Sequence, residues 1–179
     1  MISTTFGPGQ SSGRSQMPDI VLGPPRGGGE CQGSLDVVSL GNGGAITLGF
    51  GSTRIVDRPG PDFVVYENPF GYGCDPAVPY AELGTVAVSV DGEQFVEFPC
   101  TATEAPFGAC SGHSIVRENP AGVPENELDP LALGGEAYDL ADIGLAEARF
   151  VRVTDRVDIT GAAGVYDLDA VGVVHGTCP

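Results

Sequence analysis

The sequence predicts an all-β fold, a jelly-roll-like antiparallel β-sandwich with long loops. Short apolar runs are separated by turns along the whole chain, and the turns draw on 28 glycines and 15 prolines. Several runs alternate apolar and polar residues, which is typical of strands with one buried face. With 179 residues, the chain has the length of one domain with a single hydrophobic core.

Two segments make up this predicted domain. Residues 1–33 are rich in glycine, proline and serine, and they predict an irregular segment packed on the domain, with room for one edge strand. Residues 34–179 form the β-sandwich itself. Its predicted strands are, in order, Asp36–Leu40, Ala45–Phe50, Arg54–Asp57, Asp62–Glu67, Thr85–Val90, Gln94–Pro99, Glu147–Thr154 and a last strand from Tyr166.

Individual strands have different patterns. Ala45–Phe50 alternates apolar and polar residues and predicts a half-buried strand. Phe63–Tyr66 is continuously apolar, which favours a central strand covered on both faces. Thr85–Val90 alternates with its valines inward, and Asp91-Gly92 is a strong hairpin signal. Tyr138–Leu145 predicts a single helical or 3-10 turn.

Charge is the most asymmetric property of the chain. It has 24 acidic residues against 8 basic ones, for a net charge of −16, and every basic residue is an arginine. Such a surface repels phosphate, so nucleic-acid binding and attachment to anionic lipid are disfavoured. No apolar run is long enough to insert into a membrane.

Five cysteines lack the spacing of zinc or redox motifs, and disulfides are the better interpretation. Cys100 and Cys110 bracket a short loop and are the first expected pair. Cys31 and Cys178 are the second expected pair, which leaves Cys74 unpaired. Disulfides indicate an oxidising compartment, so we expect a secreted or cell-surface protein.

The acidic residues in or beside strands are the candidate metal ligands. Asp167 and Asp169 are two residues apart and therefore share one face of the last strand. Neighbouring carboxylates repel unless a cation lies between them, and oxygen-only sites suit Ca²⁺. Turn caps and pairing with arginine are the alternative explanations. The predicted ligands of a Ca²⁺ ion are Asp62, Glu67, Asp139, Asp167 and Asp169.

The loop from Asn68 to Tyr80 is the candidate binding surface. Its three aromatic residues, Phe70, Tyr72 and Tyr80, have no strand periodicity, and loops carry binding residues more often than strands do. We therefore predict a ligand that stacks on these rings. The alternative is that the rings cap one end of the sandwich. His113, in the long segment 100–135, is predicted to be a surface histidine.

A resemblance supports the same fold. The runs GGAITLGFGSTRIVDRPGPDFVVYENPF, GTVAVSVDGEQFVEFP and ARFVRVTD followed by GVYDLDAVGVV resemble those of bacterial secreted and cell-surface β-sandwich proteins. The last two stretches are also similar to galactose-binding-like jelly rolls, including calcium-containing carbohydrate-binding modules. That similarity implies a structural calcium site that includes Asp169, although the chain lacks the tryptophan that such modules stack on sugars.

Three functions follow from these observations. The leading hypothesis is a non-catalytic, extracellular, calcium-stabilised module that binds glycan or another cell-surface component. The second is a structural or assembly module of a surface layer or filament. The third, a glycoside hydrolase with a carboxylate pair, is disfavoured because no nucleophile or histidine stands in a productive sequence context. The oligomeric state is left open.

Overall fold

The chain folds as an all-β, jelly-roll-like antiparallel β-sandwich with long loops, as predicted. The computed structural model describes residues 2–117, 123–158 and 164–178. Thirteen strands lie in the described residues: β1 Ile2–Thr5, β2 Val38–Ser39, β3 Ala45–Gly49, β4 Arg54–Val56, β5 Phe63–Tyr66, β6 Gly84–Ser89, β7 Val96–Glu97, β8 Glu136–Tyr138, β9 Glu147–Ala148, β10 Phe150–Asp155, β11 Asp167–Leu168, β12 Ala170–Val173 and β13 Gly176–Thr177.

Helical structure in the described part of the chain is confined to 3-10 turns. These are Arg14–Gln16, Asp19–Val21, Tyr72–Cys74, Glu125–Glu127, Pro130–Leu133 and Leu140–Ile143. The last of them falls within the turn that Tyr138–Leu145 predicts. None of the described helices is long and apolar enough to cross a membrane.

The strands form four antiparallel sheets. The largest has the order β1-β3-β10-β6-β7, and a three-stranded sheet has the order β12-β5-β8. Two smaller sheets pair β11 with β2 and order β13-β4-β9. One hydrophobic core joins them, because alternate residues such as Val86, Val88, Val151 and Val153 face the inner side of β5 and the other short strands.

Strand β5 lies at the centre of its sheet, as its continuous apolar sequence predicts. It pairs with β12 on one side and with β8 on the other. Phe63 and Val65 belong to the main core, whereas Val64 and Tyr66 belong to a second cluster with Leu133. Both faces are therefore covered, and the residues that flank β5 are held in fixed positions.

Several boundaries differ from the sequence prediction. Residue Arg149 separates β9, which pairs with β4, from β10, which pairs with β3 and β6, so the predicted strand Glu147–Thr154 is two strands in two sheets. Val90 is exposed instead of inward, because the ladder of β6 ends at Ser89, before the turn. At the chain start, β1 is an edge strand paired with β3.

One predicted disulfide is confirmed and the other is wrong. Cys100 is bonded to Cys110. Cys31 is bonded to Cys74, while Cys178 is an exposed free cysteine. The backbone explains the correction, because the bond from the Gly71 amide to the Glu30 carbonyl, 2.8 Å, draws the segment before Cys31 against the aromatic loop.

Candidate functional site

Three carboxylates come together where the chain enters β5. Asp57 follows β4, Asp62 precedes β5, and Asp139 precedes the 3-10 turn Leu140–Ile143. Each offers one oxygen within 4.8 Å of the others. We call Asp57, Asp62 and Asp139 the open carboxylate group, because Asp57 is exposed and Asp139 is half-buried, although Asp62 is fully buried.

Local sequence explains how this group forms. The segment Asp57-Arg58-Pro59-Gly60-Pro61-Asp62 reverses the chain, and Gly60 takes φ 89° at the turn. The Asp62 amide donates to the Tyr138 carbonyl at 2.7 Å, and this bond places the residue after Tyr138 beside the turn. The group therefore depends on one turn and one backbone contact between β5 and β8.

Asp62 is the fixed member of the group. Its Oδ1 accepts from the Arg58 amide at 3.1 Å and lies 2.8 Å from His175 Nδ1, and its Oδ2 accepts from the Leu140 amide at 2.8 Å. A buried carboxylate needs such partners, since an unpaired one is costly. Asp62 is therefore a structural anchor whatever else it binds.

The remaining oxygens of the open carboxylate group fit a hard cation. Asp139 Oδ1 caps the 3-10 turn by accepting from the Ala141 amide at 2.9 Å, so its Oδ2 is available. Among the described residues, the Asp57 carboxylate has neither a hydrogen bond nor an ion pair. Oxygen donors in flexible geometry are the ligands that Ca²⁺ takes in proteins. A bound cation would offset the negative charge of the three carboxylates.

A second group of acids lies just after β5, away from solvent. Glu67 is fully buried and Asp167 nearly so, and the Asp167 amide donates to Glu67 Oε1 at 3.3 Å. Glu82 and Asp155 interact electrostatically with them. We call Glu67, Glu82, Asp155 and Asp167 the buried carboxylate group.

Burial changes the protonation of this group. Burial, reinforced by the charge of Glu82, raises the pKa of Glu67 well above its ordinary value. Burial also raises the pKa of Glu82 to about 8, against the hydrogen bond that it accepts from the Val165 amide. The pKa of Asp167 is raised by burial and lowered in part by the Ser39 side chain. Protons therefore neutralise part of the group at neutral pH.

Two oxygens of the buried carboxylate group have no good hydrogen bond within the described residues. They are Glu67 Oε2 and Asp167 Oδ1. The Ser39 hydroxyl, opposite Asp167 on β2, also has no good hydrogen bond within the described residues. Ser39 is close enough to lower the pKa of Asp167 without reaching good hydrogen-bond geometry. Protonated carboxyl groups can act as donors at such positions.

Asp169 belongs to neither group. It is buried, and its Oδ2 accepts from the Arg26 amide at 2.8 Å. Burial raises the pKa of Asp169 to about 7, with that hydrogen bond acting in the opposite direction. Of the five predicted calcium ligands, only Asp62 and Asp139 lie together in a group of three possible ligands in the described part of the chain.

The three predicted aromatic residues do form one cluster. Phe70 and Tyr80 are stacked, with ring centroids 5.1 Å apart and planes 10° apart. Tyr72 meets the edge of Tyr80 at 5.5 Å and lies 6.3 Å from Phe70. Tyr72 is 54% exposed, whereas Phe70 and Tyr80 are half-buried. We call these residues the ring cluster.

The loop that carries the ring cluster is tied down. The Cys31–Cys74 disulfide anchors it, and backbone bonds from Tyr80 to Phe70 and from Tyr72 to Val78 close it on itself. Gly73 and Cys74 adopt positive φ, which tightens the turn after Tyr72. The loop thus holds the three rings in one arrangement, and any ligand that stacked on them would not have to order the loop.

Sequence reasoning missed one member of the open carboxylate group and one buried acid that holds the segment from Ser111 to Ser114. Asp57 was recognisable as the acid on the far side of the Pro-Gly-Pro turn from Asp62. Glu136 was not recognisable: its carboxylate accepts from the Gly112, His113 and Ser114 amides and from the Ser111 hydroxyl, contacts made across the fold. Only the turn had a local signal.

Comparisons with known proteins give weak similarities. No family model matches the chain, and no curated protein matches it. A solved structure described as a glycoside hydrolase is similar over 78% of this chain and 22% of its own length, with 11% identity and a TM-score of 0.38. CpGH89CBM32-6, produced by Clostridium perfringens, is similar over 98% of this chain and 94% of its own, with 11% identity and a TM-score of 0.39. Neither similarity assigns a family or an activity to this chain.

Proposed function

We propose that this protein is a non-catalytic module of a secreted or cell-surface bacterial protein. It binds glycan through the ring cluster and is stabilised by Ca²⁺. The ring cluster is the observation that carries the proposal. An exposed tyrosine backed by two stacked rings presents an apolar face with polar hydroxyl edges, and that combination suits the C–H face and hydroxyl groups of a sugar.

Calcium has a supporting role in this proposal. The open carboxylate group joins the turn before β5 to the 3-10 turn after β8, and a bound Ca²⁺ would hold Asp57 and Asp139 against Asp62. The two disulfides support an extracellular location, because such bonds persist in oxidising compartments.

The test is glycan binding with and without the exposed ring. Calorimetry in calcium buffer, with glycans selected from an array, is expected to show binding that Tyr72→Ala weakens about fivefold, since stacking on one ring contributes about 1 kcal/mol. Val78→Ala is the matched control, because Val78 is exposed in the same loop and has no ring.

Two results would overturn the proposal. One is a blank array with the wild-type protein, and the other is equal affinity of the wild type and Tyr72→Ala. Calcium-dependent self-association in place of glycan binding would favour the assembly hypothesis.

A further inference from the structure

A groove lies beside the ring cluster and shares its loop. Pro76, Ala77 and Pro79 form one wall, the loop with Phe107 forms another, and the stretch from His113 to Arg117 completes it. Its volume is about 630 Å³, large enough for a sugar residue and its neighbour. Phe107 contacts the His113 ring, with centroids 5.4 Å apart.

The walls of the groove are fixed. The Cys100–Cys110 disulfide closes the loop that contains Phe107. Glu136 holds the segment from Ser111 to Ser114 through three backbone amides and one hydroxyl. A groove with fixed walls does not need to be ordered by its ligand.

The charge of the groove is opposite to that of the protein. None of its lining residues in the described part of the chain is acidic, although the chain has 24 acids and only 8 arginines. Arg117 is exposed there and, among the described residues, its side chain has no ion pair or hydrogen bond. By contrast, Arg54 pairs with Glu147 and Arg156 pairs with Asp158.

A histidine lies in the wall of the groove, with its Nε2 buried. His113 Nε2 has no hydrogen bond within the described residues, while Nδ1 lies 3.8 Å from Glu136 Oε1. The His113 side chain is 23% exposed and lies in the groove wall. The groove therefore combines an arginine that has no partner among the described residues with apolar proline and phenylalanine surfaces.

We propose that this groove binds a uronic acid residue of an acidic glycan, with the sugar carboxylate on Arg117. The inference rests on the proposed glycan-binding function and names the class of glycan. A guanidinium group binds a carboxylate through two parallel hydrogen bonds. Pro79 and Phe107 offer apolar contacts to the sugar ring, and the shared loop places the next sugar residues toward the ring cluster.

The experiment compares oligosaccharides of equal length that differ only at C6. Uronic acid and neutral forms in the gluco, galacto and manno configurations are titrated at about 0.15 M salt, where long-range repulsion from the net charge is screened. At least one uronic acid form is expected to bind about tenfold more tightly than its neutral partner. Arg117→Gln is expected to remove this preference, and Arg54→Gln, a change at an arginine on β4 outside the groove, is expected to retain it.

A monosaccharide titration separates this inference from the proposed function. Glucuronate and galacturonate are each added to labelled protein, and the imidazole signals of the two histidines are followed by NMR. His113 signals are expected to shift and His175 signals to stay, both in the wild type and in Tyr72→Ala. The shift is expected to be absent in Arg117→Gln.

The outcomes point to different failures. Neutral and acidic glycans that bind equally, with no effect of Arg117→Gln, would overturn the inference and leave the ring cluster proposal standing. A glucuronate or galacturonate shift at His113 that depends on Arg117, without oligosaccharide binding, would overturn the proposed function instead. The inference would also be overturned if the protein bound a polyglutamate peptide through Arg117 but bound no uronic acid. That result would show that the groove is a peptide site.

Discussion

The two ends of β5 carry the same chemical groups in opposite surroundings. Asp62 stands immediately before the strand and belongs to the open carboxylate group, whereas Glu67 stands immediately after it and belongs to the buried carboxylate group. Both residues are fully buried, but their neighbours differ. Asp62 has backbone amides and His175 around it, while Glu67 has other acids and one oxygen without a good partner.

This difference indicates how each end balances its charge. Two backbone amides and His175 provide partners for both oxygens of Asp62, and the exposed Asp57 leaves room for a cation. At the other end, Glu67 and Glu82 have raised pKa values, so bound protons neutralise these carboxylates. Closely spaced acids therefore do not identify a metal site unless solvent and free oxygens accompany them.

The largest expected effect comes from Asp62→Asn. An amide can accept only with its oxygen, so its NH₂ group would face either the Leu140 amide or the Arg58 amide, both of which are donors. A buried donor without an acceptor costs about 1–3 kcal/mol, and we expect the free energy of unfolding to fall by about 2–4 kcal/mol in chelator.

Chemical denaturation would measure that loss. Asp139→Asn is the matched control, since asparagine caps a turn as well as aspartate does and should leave stability in chelator nearly unchanged. Equal stability of Asp62→Asn and the wild type would contradict the anchoring role of Asp62.

A smaller effect is expected from pH. The pKa of Glu82 in the folded state is about 8, above its ordinary value of 4.5, so between those values the folded state binds more protons than the unfolded state. Stability then falls as pH rises through this window. In chelator, we expect the Tm to be several degrees higher at about pH 5.5 than at about pH 8.5.

Substitution at Glu82 sharpens this prediction. Glu82→Gln should reduce the dependence of the Tm on pH, because a group that is neutral in both states no longer exchanges a proton on unfolding. The raised pKa values of Glu67, Asp167 and Asp169 should retain the rest of the dependence. Glu104→Gln, a change at an exposed acid, should leave the dependence as it is. Parallel curves for wild type and Glu82→Gln would show that Glu82 is not the proton-binding group.

The sequence predicted more of the fold than of the sites. Alternation and continuous apolar runs are local signals, so β3, β5, β6 and the all-β architecture could be predicted from them. The bond between Cys31 and Cys74 could not, because it depends on how the opening segment packs against the aromatic loop.

The sites divide in the same way. Phe70, Tyr72 and Tyr80 lie in one loop, and their grouping followed from the sequence. The five predicted calcium ligands came from several strands, and the register of β5 against β8 and β12 decides which of them meet. Their spacing predicted that Asp167 and Asp169 share a strand face, but Asp169 lies between β11 and β12 and the two acids have different partners, Glu67 and Arg26.

The most direct test of this comparison is a calcium-dependent thermal melt of four proteins: wild type, Asp57→Asn, Asp139→Asn and Glu67→Gln. At a calcium concentration about a hundredfold above Kd, binding to the folded state adds about 2.7 kcal/mol and several degrees to the Tm relative to chelator. We expect this shift in the wild type and in Glu67→Gln, and its loss in Asp57→Asn and Asp139→Asn. A shift that survives both aspartate changes but disappears in Glu67→Gln, or no shift in any protein, would contradict the account.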